Sequence, residues 1–365
     1  MGDASEFSKE RVNTQNLSSD NYVATENMLQ DYQGIIEASS VPTNTKVIKF
    51  NKGDVLLSNI RPYLKKVWFA DKNGGCSADV FVFKALSACI PDFLHYIIAN
   101  DRFINFAMSG AKGVKMPRGD KEQMKTYEIG LPSIEEQKKI AKLLSLLDER
   151  IATQNKIIDK LQSLIKGINQ NVFTDDGFNY MLKELCEIRS GYSGNQLTSK
   201  NGLKVSRIET ISGHKVNIER VGYVAPFASS ENYKLQIGDI LFSNINSVEY
   251  IGNTAFIEKD YGLYHGMNLL RLMPNKNIVI PLYLYLLLNT NKMQNHFKTI
   301  CNKAVSQASI NQTELGKTVV KIPSIKAQKQ ICELYQSLYN KLETENNAIS
   351  LLQKQKEYLL RQMFI

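Results

Sequence analysis

The chain is poor in the residues that usually announce chemistry. It has four histidines, His95, His214, His265 and His296, far apart and without metal-ligand spacing. Its five cysteines, Cys76, Cys89, Cys186, Cys301 and Cys332, form no CxxC pair. An odd, scattered set argues against a disulfide framework or a zinc site and suits a reducing compartment, so a cytoplasmic location is expected. None of the nine prolines is followed by another. That removes the Pro-Pro-aromatic loop with which amino-methyltransferases hold a flipped base. No phosphate-cradling glycine loop of either common pattern is present. The longest apolar stretch, residues 280–288, falls far short of a membrane span. No signal peptide is visible, and the opening Met-Gly-Asp-Ala-Ser-Glu-Phe is polar and resembles a cloning remnant more than a native start.

What the chain has instead is a segment written twice. Leu131-Pro132-Ser133-Ile134-Glu135-Glu136-Gln137-Lys138-Lys139-Ile140 returns as Ile322-Pro323-Ser324-Ile325-Lys326-Ala327-Gln328-Lys329-Gln330-Ile331, 191 residues later. The offset persists to Val172-Phe173 and Met363-Phe364. Upstream, Lys52-Gly53-Asp54-Val55-Leu56-Leu57-Ser58-Asn59-Ile60 resembles Ile237-Gly238-Asp239-Ile240-Leu241-Phe242-Ser243-Asn244-Ile245. Each reads as a turn entering a strand. Pro91 and Pro281 each open an apolar helix. Asp120 with Gln123, and Asn311 with Glu314, look like paired caps of a short helix. A period this long marks domain-sized tandem units rather than a solenoid. The boundaries expected are 1–133 and 174–323 for two globular modules, with helical spacers at 134–173 and 324–365. Aligning the Gly-Asp turns maps Met1 near Cys186, so the first module is expected to lack a counterpart of Thr174–Leu185, through truncation or a naturally short start.

The spacers have a heptad seam. Apolar positions run Ile140, Leu144, Leu147, Ile151, Gln154, Ile158, Leu161, Ile165, Ile168, Val172, with steps alternating four and three. The second copy is Ile331, Tyr335, Leu338, Leu342, Glu345, Ile349, Leu352, Lys356, Leu359, Met363, with a polar slot at the same place and an extra fault at Lys356. Two such helices, each roughly 50–60 Å long, with a globular module between them, pair most economically antiparallel. Centring the pair on Gln154 and Glu345 would bring those residues together. The expected object is pseudo-twofold symmetric, a ruler suited to two sites on one long partner such as duplex DNA.

The net charge of +9 is spread as +1 over residues 1–133, +2 over 134–173, +4 over 174–323 and +2 over 324–365. This moderate excess of cations fits nucleic-acid binding and equally fits a protein without that role.

The Leu-Pro-x-Ile-x-x-Gln-Lys-x-Ile opening, the heptad helix, the closing Val/Met-Phe and the duplicated layout together resemble the specificity (S) subunit of Type I restriction–modification enzymes. Residues 21–29, Gly53-Asp54 and 59–64 also resemble one class of that family's target-recognition domains. The resemblance implies two α/β (α+β) target-recognition domains in tandem, separated by long helices forming an antiparallel coiled coil. It implies an asymmetric, bipartite DNA site, one half per domain, with the helices setting the gap. It also implies two modification subunits that methylate adenine N6 with S-adenosylmethionine, and a restriction subunit using ATP and Mg. This chain would itself hold no cofactor and catalyse nothing. A stand-alone DNA-modifying enzyme and a coiled-coil interaction scaffold are the alternatives.

Phosphates call for Lys or Arg; base edges call for Arg, Lys, Asn, Gln, Ser or Thr. In the first module the candidates are Arg61, Lys65 and Lys66 after the Gly-Asp strand, and Lys112, Lys115, Arg118 and Lys121 in a glycine-containing loop. In the second they are Arg189, Tyr192 and Asn195 near its start, Asn244 and Asn246, and Lys303, Ser306, Gln307, Ser309 and Asn311. Each group could equally be a solvated surface loop.

Overall fold

The computed structural model describes residues 1–173, 177–304 and 307–364. The chain forms two compact units, one made of residues 1–156 and 346–365, the other of 157–345. Each contains a globular part, a piece of the first long helix, Ile134–Asn171, and a piece of the second, Ile325–Met363.

The first unit is built on a four-stranded antiparallel sheet in the order Ser5–Phe7, Val80–Ala85, Val55–Ser58, Val67–Phe69. The strand after the Gly-Asp turn is buried along its whole length. Alternation sends its side chains to two cores. Val55 and Leu57 join Phe83, Phe93, Leu94 and Phe103 on the helical face, while Leu56 joins Phe50, Trp68 and Val82 on the other. The second core is closed by a small sheet of Arg11–Asn13, Lys46–Phe50, Gly74–Cys76 and Tyr22–Val23.

The second unit repeats the plan. Its sheet runs Cys186–Ser190, Leu269–Pro274, Ile240–Ser243, Thr254–Phe256. Ile240 and Phe242 meet the helices, and Leu241 faces a second core with Ala255 and Leu269. Gly53 and Gly238 take φ +93° and +100° at the entering turns, where a side chain would be strained. Asp54 and Asp239 close those turns by accepting the backbone N–H of Asn51 at 2.8 Å and Gln236 at 2.6 Å.

The repeated Pro-Ser-Ile-x-x-Gln has a structural cause in both units. Ser133 and Ser324 cap the long helices, their hydroxyls facing Glu136 N at 3.3 Å and Ala327 N at 3.4 Å. Gln137 and Gln328 are fully buried. The Gln137 amide accepts from Ile90 N at 2.9 Å and donates to Ala88 O at 2.8 Å and Pro132 O at 3.0 Å. Gln328 does the same with Ile280 N, Ile278 O and Pro323 O at 2.8, 3.1 and 2.9 Å. Ile90 and Ile280 are the N-cap residues of Pro91–Ile98 and Pro281–Leu288. One glutamine therefore fastens each long helix to the proline-led apolar helix of its globular part.

Every seam position named above is fully or partly buried. In the first unit the start of one long helix (Ala141, Leu144, Leu147) shares a core with the end of the other (Leu352, Leu359, Leu360). In the second, Ile165 and Ile168 near the first helix's end share a core with Ile331, Tyr335, Leu338 and Leu342 from the second helix's opening half. The helices thus pair antiparallel. Gln154 belongs to the first unit and Glu345 to the second. Lys356, an apparent seam fault, is an ion-pair position: its Nζ lies 2.5 Å from Asp148 and 5.8 Å from the Tyr96 ring centroid, and the Tyr96 hydroxyl donates to Asp148 at 2.9 Å.

The start of the chain differs from expectation by four residues. Ser5 pairs with Ala85 where Cys186 pairs with Pro274, so Met1, not a residue before it, stands in the place of Leu182. The Met1 amino group donates to Tyr127 O at 2.6 Å, as Leu182 N donates to Thr318 O at 3.0 Å. The part without a counterpart therefore ends at Met181, whose strand, Phe178–Met181, pairs with Val319–Ile322. The corresponding residues 128–131 form no strand. Among the described residues no helix is long and apolar enough to cross a membrane.

Candidate nucleic-acid interface

Candidate residues far apart in sequence meet in both units, and they meet by the same device. In the first unit Lys112 and Arg118 exchange two backbone hydrogen bonds of 2.9 Å and close a hairpin. Its outer arm is bridged to Ile60, and Pro117 O accepts from Arg61 N at 2.8 Å. The 112–121 group and Arg61 are thus one structure. Arg61 and Lys65, both with positive φ (51° and 53°), bracket the turn Pro62–Leu64. Leu64 O and Lys65 O accept from Asp31 N and Tyr32 N, themselves at φ 51° and 61°. Non-glycine residues held in that region store strain, and strained turns concentrate at functional sites.

In the second unit a three-stranded ribbon joins Ile245–Asn246, Ala308–Ser309 and Asn302–Lys303. Ile310 N donates to Asn244 O at 2.9 Å, so Asn244, Asn246, Lys303, Gln307 and Ser309 are neighbours. Ser306 lies outside the described residues. Each hairpin runs into a short helix, Lys121–Lys125 or Gln312–Gly316. Asp120 accepts from Glu122 N and Gln123 N at 2.9 and 3.3 Å, and Asn311 from Glu314 N at 2.8 Å. The reciprocal half of the expected cap is replaced: Gln123 donates to Phe106 O at 2.7 Å, and Glu314 binds Lys317 at 2.8 Å.

The cations differ in how committed they are within the fold. Lys112 pairs with Asp120 at 2.8 Å, lowering that carboxyl's pKa, and Arg118 pairs with Asp79 at 3.2 Å. Lys65 pairs with Asp101 at 2.9 Å, Lys66 donates to Thr25 O at 2.7 Å, and Lys121 lies over the rings of Phe7 and Phe81 at 5.2 and 4.9 Å. Lys115 at the hairpin tip and Lys303 in the ribbon are exposed. Asn59 and Asn244 occupy the same place in the two units, and each has a buried amide oxygen without a partner among the described residues. Asn246 is engaged, donating to Ser243 Oγ at 3.1 Å and accepting from Ser247 N at 2.8 Å.

The third group of the second unit forms a separate feature. Tyr192 stacks on Phe227 with centroids 3.9 Å apart, and Tyr233 meets both edge-on. Beside them lies a cavity of about 480 Å³ lined by Arg189, Ser190, Asn232, Tyr233, His265 and Arg271, among others. Arg189 pairs with Glu187 at 2.5 Å, and Asn195 is exposed. Sequence reading missed Arg271. It is buried, lies 2.6 Å from Asp239 of the Gly-Asp turn, and its Nε has no partner among the described residues. Burial raises the Asp239 carboxyl against the pull of Arg271, and burial lowers His265 to about 4, keeping that ring neutral at pH 7. Among the described residues no group of His, Cys, Asp and Glu has the arrangement of a metal site.

Compared with known proteins, the chain matches the family described as Type I restriction modification DNA specificity domain twice, over residues 5–163 and 177–354. It is 27% identical over 369 residues to the specificity subunit of the Methanocaldococcus jannaschii type I restriction enzyme MjaVIII, covering 93% of this chain and 84% of that protein. A second protein of that organism, named for the specificity subunit of type I restriction enzyme MjaX, is 44% identical over 187 residues, 50% of this chain. That match spans only 44% of the relative. Among solved structures, the S subunit of a type I restriction–modification system from M. genitalium has a TM-score of 0.62 at 17% identity, covering 100% of this chain and 94% of that one. The HsdS subunit from Thermoanaerobacter tengcongensis has a TM-score of 0.53 at 20% identity, covering 100% and 95%. At such identities the likeness concerns the fold.

Proposed function

The chain belongs to the Type I restriction modification DNA specificity family, and we propose that it reads an asymmetric, bipartite DNA site, one half with each globular part. The observation that supports this most is the repeated device: in both units a hairpin is stitched to the residues after the Gly-Asp strand and leads into a capped helix. The scaffold is shared and the side chains it presents differ, as two unlike half-sites require.

In this reading the globular modules extend over 1–133 and 174–323, and the helical spacers over 134–173 and 324–365. Lys115 and Lys303 meet phosphates, and Arg118 and Lys112 exchange their carboxylate partners for phosphate. Gln307 and Asn244 face base edges, with the strained Arg61 turn beside the first hairpin. The antiparallel helices set the number of base pairs between the halves and dock two modification subunits that methylate adenine N6. S-adenosylmethionine, ATP and Mg are used by those subunits and by a restriction subunit. This chain performs no chemistry itself and works in the cytoplasm.

The test is reconstitution of the full chain with its modification subunits. Adenine methylation at a two-part motif is expected, and deleting one heptad from each long helix should shift the preferred gap. Methylation or cleavage by the chain alone would contradict the assignment, as would a gap that ignores helix length.

A further inference from the structure

We propose that Met116, with Val114 beside it, reads thymine through its 5-methyl group in the major groove of the first half-site. The inference rests on the DNA-recognition reading above and names the chemistry of one part of that interface.

Val114 is 104% exposed and Met116 48% exposed, in a hairpin that is otherwise well braced. Lys112 and Arg118 close its base with two hydrogen bonds, and Arg61 N holds Pro117 O. Gly113 takes φ +97°, and a Cβ there would lie 3.3 Å from Met116 O, so the tight tip requires glycine. Apolar atoms on such a support have no core partner, and their hydration is a standing cost that a binding partner can remove.

The surroundings identify the partner. Lys112, Lys115 and Arg118 ring the tip, with side chains of the first and last 82% and 54% exposed. Among the described residues, the carboxylates paired with them are Asp120, with Lys112, and Asp79, with Arg118. An apolar tip in a cationic collar suits a polyanion with an apolar group on its surface. A hairpin tip of this kind is narrow enough to enter the major groove, where the thymine methyl is the apolar group that the base edges present.

The comparison between units sharpens this. Counting back from the capping residues, Asp120 and Asn311, Met116 stands where the second unit has Gln307. An amide in that position suits the paired donor and acceptor of adenine, and a thioether suits the methyl of thymine.

The experiment uses the complete chain with its modification subunits and duplexes carrying the mapped methylation site. Each thymine of the first half-site is replaced in turn by deoxyuridine, which removes only the methyl. That half is identified as the one left unrelaxed by Gln307→Ala. Binding should weaken about fourfold at one or two positions, the value of a buried methyl group. The double variant Val114→Ser/Met116→Gln should bind thymine and uracil duplexes equally, and its unaltered preference at the second half-site shows that it is folded. Uracil tolerated at every position would overturn the inference, as would a penalty that persists in the double variant or a first half-site without an A·T pair. Loss of specific binding by the unmodified complex would instead sink the underlying DNA-recognition reading.

Discussion

The two units share a sheet, a helix order and a glutamine clamp, yet one buried position of the central sheet is aliphatic in the first and charged in the second. Leu56 faces Val82 across the first sheet; its counterpart Leu241 faces Arg271 in the second. Val82 sits in an apolar core, and among the described residues Asp54 closes its turn with no arginine paired to it. Arg271 is ion-paired to Asp239 beside a polar cavity. A buried ion pair is poor value for stability compared with a well-packed aliphatic group. The first unit shows that the scaffold works with valine at this place. The arginine therefore answers to the polar cavity that it lines rather than to the fold.

The largest expected effect is at the arginine, and the matching valine gives its contrast. Arg271→Ala leaves Asp239 buried and unpaired, and should destabilise the second unit by about 3–5 kcal/mol. Val82→Ala, which only empties part of an apolar core, should cost the first unit about 1–2 kcal/mol. Equal losses, followed by denaturant unfolding of each unit with local probes, would dissolve the contrast. The shared element should behave in the opposite way. Gln137→Ala and Gln328→Ala each strand a buried N–H and two carbonyls, so each should cost its own unit about 2–3 kcal/mol, with closely similar values.

Acid should also treat the units alike. His95 and His265 are each lowered to about 4 by burial. Between pH 6.5 and 4 the unfolded chain takes up a proton at each that the folded chain refuses. Stability therefore falls as pH drops through that window, by up to about 3 kcal/mol per histidine. His265→Phe should flatten the pH dependence of the second unit and leave the first unit's unchanged, as read by midpoints at pH 7 and 5.

Surface substitutions should leave stability nearly unchanged and act on binding alone. Lys115→Ala should weaken binding to all DNA sequences and reduce the salt slope by about one. Gln307→Ala should leave the slope alone and relax one base position by about 1–3 kcal/mol.

Much of this architecture is legible in the chain. The 191-residue offset gives the duplication, and the seam from Ile140 to Val172 gives the helix pairing because heptads are local. Interactions that depend on strand register or long-range closure are not legible. Lys356 looked like a seam fault because its partner Asp148 lies 208 residues away. Gln137 and Gln328 are visible as a repeat, but Ala88 O with Ile90 N, and Ile278 O with Ile280 N, lie about 50 residues back in the chain. Arg271 was hidden because only the strand pairing with Leu241 brings it to the Gly-Asp turn. The candidate groups around Arg61 and Lys112 stand apart in the sequence, and nothing in their spacing reveals the hairpin that joins them. Residue type alone also overstated the available charge: Lys65, Lys66 and Lys121 already have partners within the fold.

The most direct test of two unlike readers on one repeated scaffold is the methylome of cells expressing this chain with its modification subunit, compared with the Gln307→Ala variant. The account predicts a two-part adenine motif in which one base position of one half relaxes while the other half and the gap stay fixed. A contiguous motif, or relaxation of both halves together, would contradict it.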